Sequence, residues 1–188
     1  CDGEFYDMVN DFHDGWALVQ KGKGFNFIDK TGGKLVLGRF DEAGDFSDGF
    51  ARVKIGSWYF IDKTGKELNT YEYTYEDAGN FSCGLAWVEK DHIWHCIDKS
   101  GKKHFEASFE LAEDFVDGLA KVTDRNRQYY VDTNGKKISK DYNNIGIFIE
   151  GFALAMDNDQ IFYIDKTGKE LPILKYTEGN NFKNGFAQ

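Results

Sequence analysis

The sequence predicts an all-β chain of tandem repeats of about 34 residues, each a three-stranded meander. Three markers recurring in one phase carry this reading. Phe-x-x-Gly-x-Ala begins at Phe12, Phe46, Phe81, Phe115, Phe148 and Phe182, at spacings of 34, 35, 34, 33 and 34 residues. An apolar residue followed by Asp, with Gly three further on, gives Ile28-Asp29/Gly32, Ile61-Asp62/Gly65, Ile97-Asp98/Gly101, Val131-Asp132/Gly135 and Ile164-Asp165/Gly168. An aromatic six residues before each Phe falls at Tyr6, Phe40, Tyr75, Phe109, Tyr142 and Tyr176. Helical periodicity is not evident in any long window.

Residues 46–68 show what one repeat is made of. Asp48-Gly49 follows an aromatic and supplies the positive φ of a tight turn. Ala51 and Val53 share one face of the next strand, with Phe50 and Arg52 on the other. Ile55-Gly56-Ser57 breaks the run. Trp58 to Ile61 is a continuous aromatic and β-branched run, as in a strand covered on both faces. Asp62-Lys63-Thr64-Gly65 reads as a turn that Asp62 closes by bonding the backbone two residues on. A third strand is expected after it.

Cutting at the aromatic marker gives a single array over residues 1–188, with units 6–39, 40–74, 75–108, 109–141, 142–175 and a partial sixth, 176–188. No linker separates them. Ala17, Ala51, Ala86, Ala120, Ala153 and Ala187 hold one position in all six, which predicts a place where a neighbouring strand or ring presses close. An open solenoid or superhelix is expected, with a closed five- or six-bladed propeller as the alternative. Propeller blades commonly need four strands and about 40 residues or more. Because the sequence stops at Gln188 in mid-unit, the array is expected to continue, to be capped by this stub, or to close on itself.

These motifs resemble those of the WG-repeat, or KWG-repeat, proteins of bacteria. Their unit is similar to F-x-x-G-x-A-x-V, then W-G-Y-I-D, then x-x-G-K, and the resemblance covers nearly the whole chain. The Trp is kept at Trp58 and Trp94 and replaced by Phe25, Gln128 and Ile161. The Gly after it gives way to Asn26, Tyr59, His95, Tyr129 and Phe162. The resemblance implies a β-rich scaffold without a shared catalytic residue set, often on secreted or envelope proteins. A local likeness to choline- and glucan-binding repeats stops at their period of about twenty.

Bulk properties narrow the partners. Net charge is −9, which disfavours nucleic acid and anionic lipid. Aromatic residues are 16% of the chain, ample for a core, and Pro172 is its one proline. No run reaches the length of a membrane-spanning helix. Cys1 at the start is the position at which a matured bacterial lipoprotein carries its lipid, with Asp2-Gly3-Glu4 as tether; a lipid anchor and a simple truncation boundary are the two readings this position leaves open. Cys83 and Cys96 read as free thiols.

Candidate chemistry is sparse. His92, His95 and Cys96 form the one metal-like cluster, without a fourth ligand or paired spacing, so no metal and no cofactor is expected. Asp29, Gly32, Asp62, Gly65, Asp98, Gly101, Asp132, Gly135, Asp165 and Gly168 are structural turn residues and lack the further oxygen ligands of a calcium loop. No phosphate loop, nucleophile elbow or zinc-protease motif occurs, and evenly repeated carboxylates do not make the asymmetric constellation of an enzyme. What varies between units is the loop joining the two long strands. Lys21, Lys23, Lys54, Lys90, His92, Arg125, Arg127 and Asp157 lie in or beside these loops and are the candidate partner-binding residues. Stacked at about 5 Å, neighbouring units would bring Lys90, His92, Arg125 and Arg127 into one patch. Trp16, Phe50, Trp87 and Phe152 form the candidate aromatic platform for a glycan, although Leu85 and Leu119 interrupt it. The expected function is a non-catalytic binding or scaffold module of the bacterial envelope or a secreted protein, with a protein partner. The alternatives are a carbohydrate or cell-wall binding module and an accessory repeat domain of a larger effector or toxin.

Overall fold

The computed structural model describes residues 5–36, 38–70, 74–158 and 160–171. Among them every regular element is a strand and no helix forms. Five antiparallel sheets follow one another along the chain. The first contains β1 (Met8–His13), β2 (Trp16–Lys21) and β3 (Gly24–Ile28). The second contains β4 (Glu42–Ala43), β5 (Phe50–Ile55) and β6 (Ser57–Asp62). The third runs β7 (Asp77–Ala78), β8 (Leu85–Lys90), β9 (Ile93–Asp98) and β10 (Lys103–Phe109). The fourth is β11 (Leu111–Ala112), β12 (Leu119–Asp124) and β13 (Arg127–Asp132), and the fifth β14 (Asn144–Ile145), β15 (Phe152–Asp157) and β16 (Gln160–Asp165). The chain divides into two compact units, Cys1–Ser108 with Asp114–Val116, and Phe109–Glu113 with Asp117–Gln188. The expected sixth unit, with Tyr176, Phe182 and Ala187, lies outside the described residues, as does Cys1.

One feature differs from the sequence reading. The strand expected after each Asp turn shrinks in four repeats to a single bridge, Ile28 with Lys34, Ile61 with Glu67, Val131 with Lys137 and Ile164 with Glu170. Only β10 runs on as a full strand, because Lys103 to Phe109 alternates without interruption. In the other repeats polar or Gly residues such as Gly38, Asn69 and Asp141 break the run. The third strand of each remaining sheet lies instead before the Phe marker: Glu42 pairs with Lys54 and Ala43 with Val53.

Four Phe markers, Phe46, Phe81, Phe115 and Phe148, each pack against the sheet before them. In the first unit, Phe46 sets its ring edge-on to Phe27 at 4.8 Å, Phe81 lies 4.9 Å from both Phe50 and Phe60, and Phe115 stacks on Trp87 at 5.5 Å. In the second unit Phe148 lies 4.7 Å from Tyr130. Such pairs contribute about 0.5–1.5 kcal/mol beyond their area burial. Phe46, Phe81 and Phe115 are buried, whereas Phe12, with no described sheet before it, is 47% exposed. The recurring alanines Ala17, Ala51, Ala86, Ala120 and Ala153 are all buried. Ala86 sits in a cluster with Trp58 and Phe60 of the preceding sheet, so a ring does press on this position.

Two kinds of turn close each repeat. The first is Asp48-Gly49 and its equivalents, with both residues at positive φ, 54° and 93° here. Cys83 and Glu150 adopt the same conformation at 55° and 52°. These turns are tied across repeats: Asp14 Oδ2 accepts from Gly49 N and Asp48 Oδ2 from Gly84 N, both at 2.7 Å. Lys63 reinforces Asp14 at 3.3 Å. The second kind is the Asp-x-x-Gly turn. Asp62 Oδ1 accepts from Thr64 N, Thr64 Oγ1 and Lys66 N, at 2.8, 2.6 and 3.1 Å. Asp29, Asp98, Asp132 and Asp165 likewise accept from the amide two residues on. Gly65 N donates to Asp62 O at 2.9 Å with Gly65 at φ 80°. At Gly101 glycine is doubly required, since φ is 78° and a Cβ would strike the carbonyl of Asn69.

Candidate functional site

The loops singled out by their variability are shorter than the sequence implied. Lys90 pairs with Ile93, which leaves Asp91-His92 as the whole turn, at φ 51° and 60°. Asp124 pairs with Arg127 around Arg125-Asn126, at 51° and 59°. Two successive positive φ values give the turn whose twist suits a tight hairpin. Lys21 pairs with Gly24, and Ile55 pairs with Ser57 across Gly56 alone. Amides of three of these turns are satisfied from outside. Asp7 Oδ2 accepts from Gly22 N at 2.7 Å, Glu76 Oε2 from His92 N at 3.1 Å and Asn143 Oδ1 from Asn158 N at 3.0 Å. Each of these acceptors directly follows the aromatic marker.

Four of the candidate residues, Lys21, Lys23, His92 and Arg125, are exposed at these turns. Lys54, Lys90, Arg127 and Asp157 are half-buried. Lys54 Nζ lies 2.7 Å from Glu42 Oε1 and 5.4 Å from the centre of the Trp58 ring. Arg127 and Asp157 serve each other. Arg127 Nη1 lies 2.8 Å from Asp157 Oδ1, and Nη2 donates to Asp141 O at 2.7 Å. The Asp157 carboxylate holds the guanidinium above its ordinary range. The pair ties β13 to β15 and keeps about 30% of each side chain exposed.

The aromatic platform needs a stronger correction. Trp87 is fully buried, stacked on Phe115 and edge-on to Phe105 at 5.8 Å, because β8 carries apolar residues on both faces and another ring covers each. Trp16 and Phe50 are half-buried and spend a face on Phe46 and Phe81. Phe152 is half-buried as well. Trp16, Phe50 and Trp87 are packing elements, and Trp87 presents nothing to a sugar.

The grouping of His92, His95 and Cys96 also dissolves. His95 and Cys96 are neighbours on β9 and point to opposite faces. Cys96 is buried, and burial pushes its thiol up to about 12, away from the thiolate a metal would need. Cys83 and Cys96 are both free. A different set assembles at the same turn. Glu76, Glu89 and His92 each offer one ligand atom, all within 4.8 Å of one another. His92 Nδ1 is 3.4 Å from Glu76 Oε2. Sequence reasoning missed both glutamates. The signal was available by laying one repeat on the next: Glu89 follows its Phe marker by the same interval as Lys54, the cation that Glu42 neutralises. In register, Glu89 faces Asp77 where Lys54 faces Glu42, so a carboxylate stands where the preceding repeat has an ammonium.

The description of the WG containing repeat family matches residues 6–24, 27–57, 60–91, 94–127 and 130–160. The chain belongs to the WG-repeat family. No curated protein matches the chain in sequence. Among solved structures, this WG-repeat chain is similar to Hsv2 of Kluyveromyces marxianus, at TM-score 0.54 and 10% identity over 86% of this chain and 58% of that one. Hsv2 of Kluyveromyces lactis gives 0.53 and 13% over 85% and 61%. A eukaryotic initiation factor gives 0.55 and 12% over 90% and 55%. The WG-repeat chain thus spans about three fifths of the structures it matches. At this identity the likeness speaks of fold alone. Hsv2 is β-propeller-like. With the four-stranded sheet β10-β9-β8-β7, that likeness lends weight to the blade reading that the short repeat length argued against.

Proposed function

We propose that this WG-repeat chain is a non-catalytic binding module that engages a protein partner through its hairpin turns. One observation carries the reading. The residues that repeat are consumed by packing and turn closure, while the exposed turn side chains Lys21, Lys23, His92 and Arg125 differ from repeat to repeat and are not needed to close their turns. Surface that the fold leaves free to vary on a rigid framework is where repeat proteins make specific contacts. The bacterial envelope is the proposed setting, on the family resemblance alone.

The test compares two grouped variants at matched stability. Lys21→Ala with Lys23→Ala and His92→Ala should abolish capture of a partner from envelope extract. Trp16→Ala with Phe50→Ala should reduce stability and leave capture by the folded fraction intact. A glycan array is run beside it. Glycan binding that survives the turn changes and disappears with the aromatic ones would defeat the protein-partner reading and promote the carbohydrate one.

A further inference from the structure

We propose that Glu76, Glu89 and His92 form a binding site for a divalent transition-metal ion, zinc by its chemistry, at the β8–β9 turn. This goes beyond the partner reading and does not depend on it. Two glutamates and an imidazole are the oxygen and nitrogen ligands that zinc takes, and three protein ligands leave a fourth tetrahedral position open. The charges match, because two carboxylates balance a doubly charged ion.

The geometry supports the assignment. Zinc bonds of about 2.0–2.2 Å in a tetrahedron hold ligand atoms about 3.3–3.6 Å apart. His92 Nδ1 and Glu76 Oε2 stand at 3.4 Å, long for a hydrogen bond and right for two ligands of one ion. Two of the three ligands are also held in place. Glu76 is tethered by the His92 amide at 3.1 Å, and His92 sits in a two-residue turn with its backbone at φ 60°. Neighbouring repeats differ in charge at this corner. In the second sheet Lys54 Nζ closes the equivalent corner against Glu42 at 2.7 Å. In the third sheet Glu89 replaces that lysine and faces Asp77, while Glu76 approaches from the preceding residue. The scaffold has exchanged its own cation for a carboxylate beside an imidazole; Arg52 Nη1, 3.9 Å from Asp77 Oδ1, offsets that carboxylate, so the negative charge gathered at this corner is that of Glu76 and Glu89.

Calorimetric titration of the full chain with zinc chloride tests this, beside the variants Glu89→Lys, His92→Ala and Cys83→Ser. Glu89→Lys reinstates the second sheet's own ion pair and is expected to fold; circular dichroism checks each variant. The expected result is one ion per wild-type chain, at least tenfold weaker binding in Glu89→Lys and in His92→Ala, and unchanged binding in Cys83→Ser. Zinc binding that neither Glu89→Lys nor His92→Ala weakens would place the ion elsewhere and overturn the proposal. So would the absence of binding by the wild type up to about 1 mM, the affinity of an incidental surface contact.

Discussion

The Asp-x-x-Gly turn and the hairpin turn do the same job in every repeat, yet one keeps its residues and the other does not. The difference lies in where the backbone amides find acceptors. In the first, Asp62 supplies the acceptor from within, serving Thr64 and Lys66 itself. Replacing it strands turn amides, so Asp recurs at 29, 62, 98, 132 and 165. In the second, Asp7, Glu76 or Asn143 reaches in from the marker segment. The turn residues are then constrained only in φ, and Gly, Asp, His, Arg and Asn all occur there. A turn capped from outside is free to carry recognition chemistry; a turn capped by its own side chain is not.

The comparison extends to the core, where the largest effect is expected. Phe81→Ala should destabilise by about 3–5 kcal/mol, since it empties the space against Phe50 and Phe60. Phe12→Ala removes the same repeat residue from a half-exposed site and should lose clearly less. Equal urea midpoints for the two would show that the ring contact between repeats is not what makes the marker recur. Next comes Ala86→Leu, at about 1–3 kcal/mol, because Trp58 and Phe60 already fill the space beside it. Lys90→Leu, at the end of a strand beside a variable turn, should stay within about 0.5 kcal/mol of the parent. A drop of similar size in both would dissolve the contrast between repeated and variable positions.

The smallest effect separates the two turns directly. Asp62→Ala should lose about 0.5–2 kcal/mol, by analogy with a lost capping bond, and His92→Ala almost nothing. Acid sharpens this. Asp29, Asp62, Asp98 and Asp165 are held below the ordinary carboxylate value of 3.8, foremost by the Thr or Ser hydroxyl two residues on. A carboxylate depressed in the folded chain contributes stability that is complete above its unfolded value and is lost as pH falls through its folded one. Midpoints measured from pH 5 down to pH 2 should therefore fall, and fall less steeply in Asp62→Asn. Parallel curves for the two proteins would mean that the Asp62 charge is irrelevant to the turn.

The periodic part of the architecture was legible because each marker has one local cause. Asp48-Gly49 needs positive φ, Asp62 closes its own turn, and Ala86 must stay small beneath a ring. The third strand was misplaced because pairing after the Asp turn depends on a neighbouring strand edge and fails wherever a Gly or Asn interrupts the run. Trp87 was misjudged for a related reason. Alternation assigns a residue to a face but does not say that Phe115, more than two dozen residues on, will cover that face. Glu76 and Glu89 escaped notice since they lie 13 residues apart in sequence and meet only through the pairing of β7 with β8.

The ring contact between repeats also sets an order of events when the chain is made. Residues 40–62 can pair into a sheet as soon as they leave the ribosome, but the ring that shields Phe60 belongs to Phe81, some twenty residues further on. At about 5–20 residues per second, that shield arrives about 1–4 s later. Through this interval the newly made sheet exposes one greasy face, which is relieved by the stretch of chain translated next.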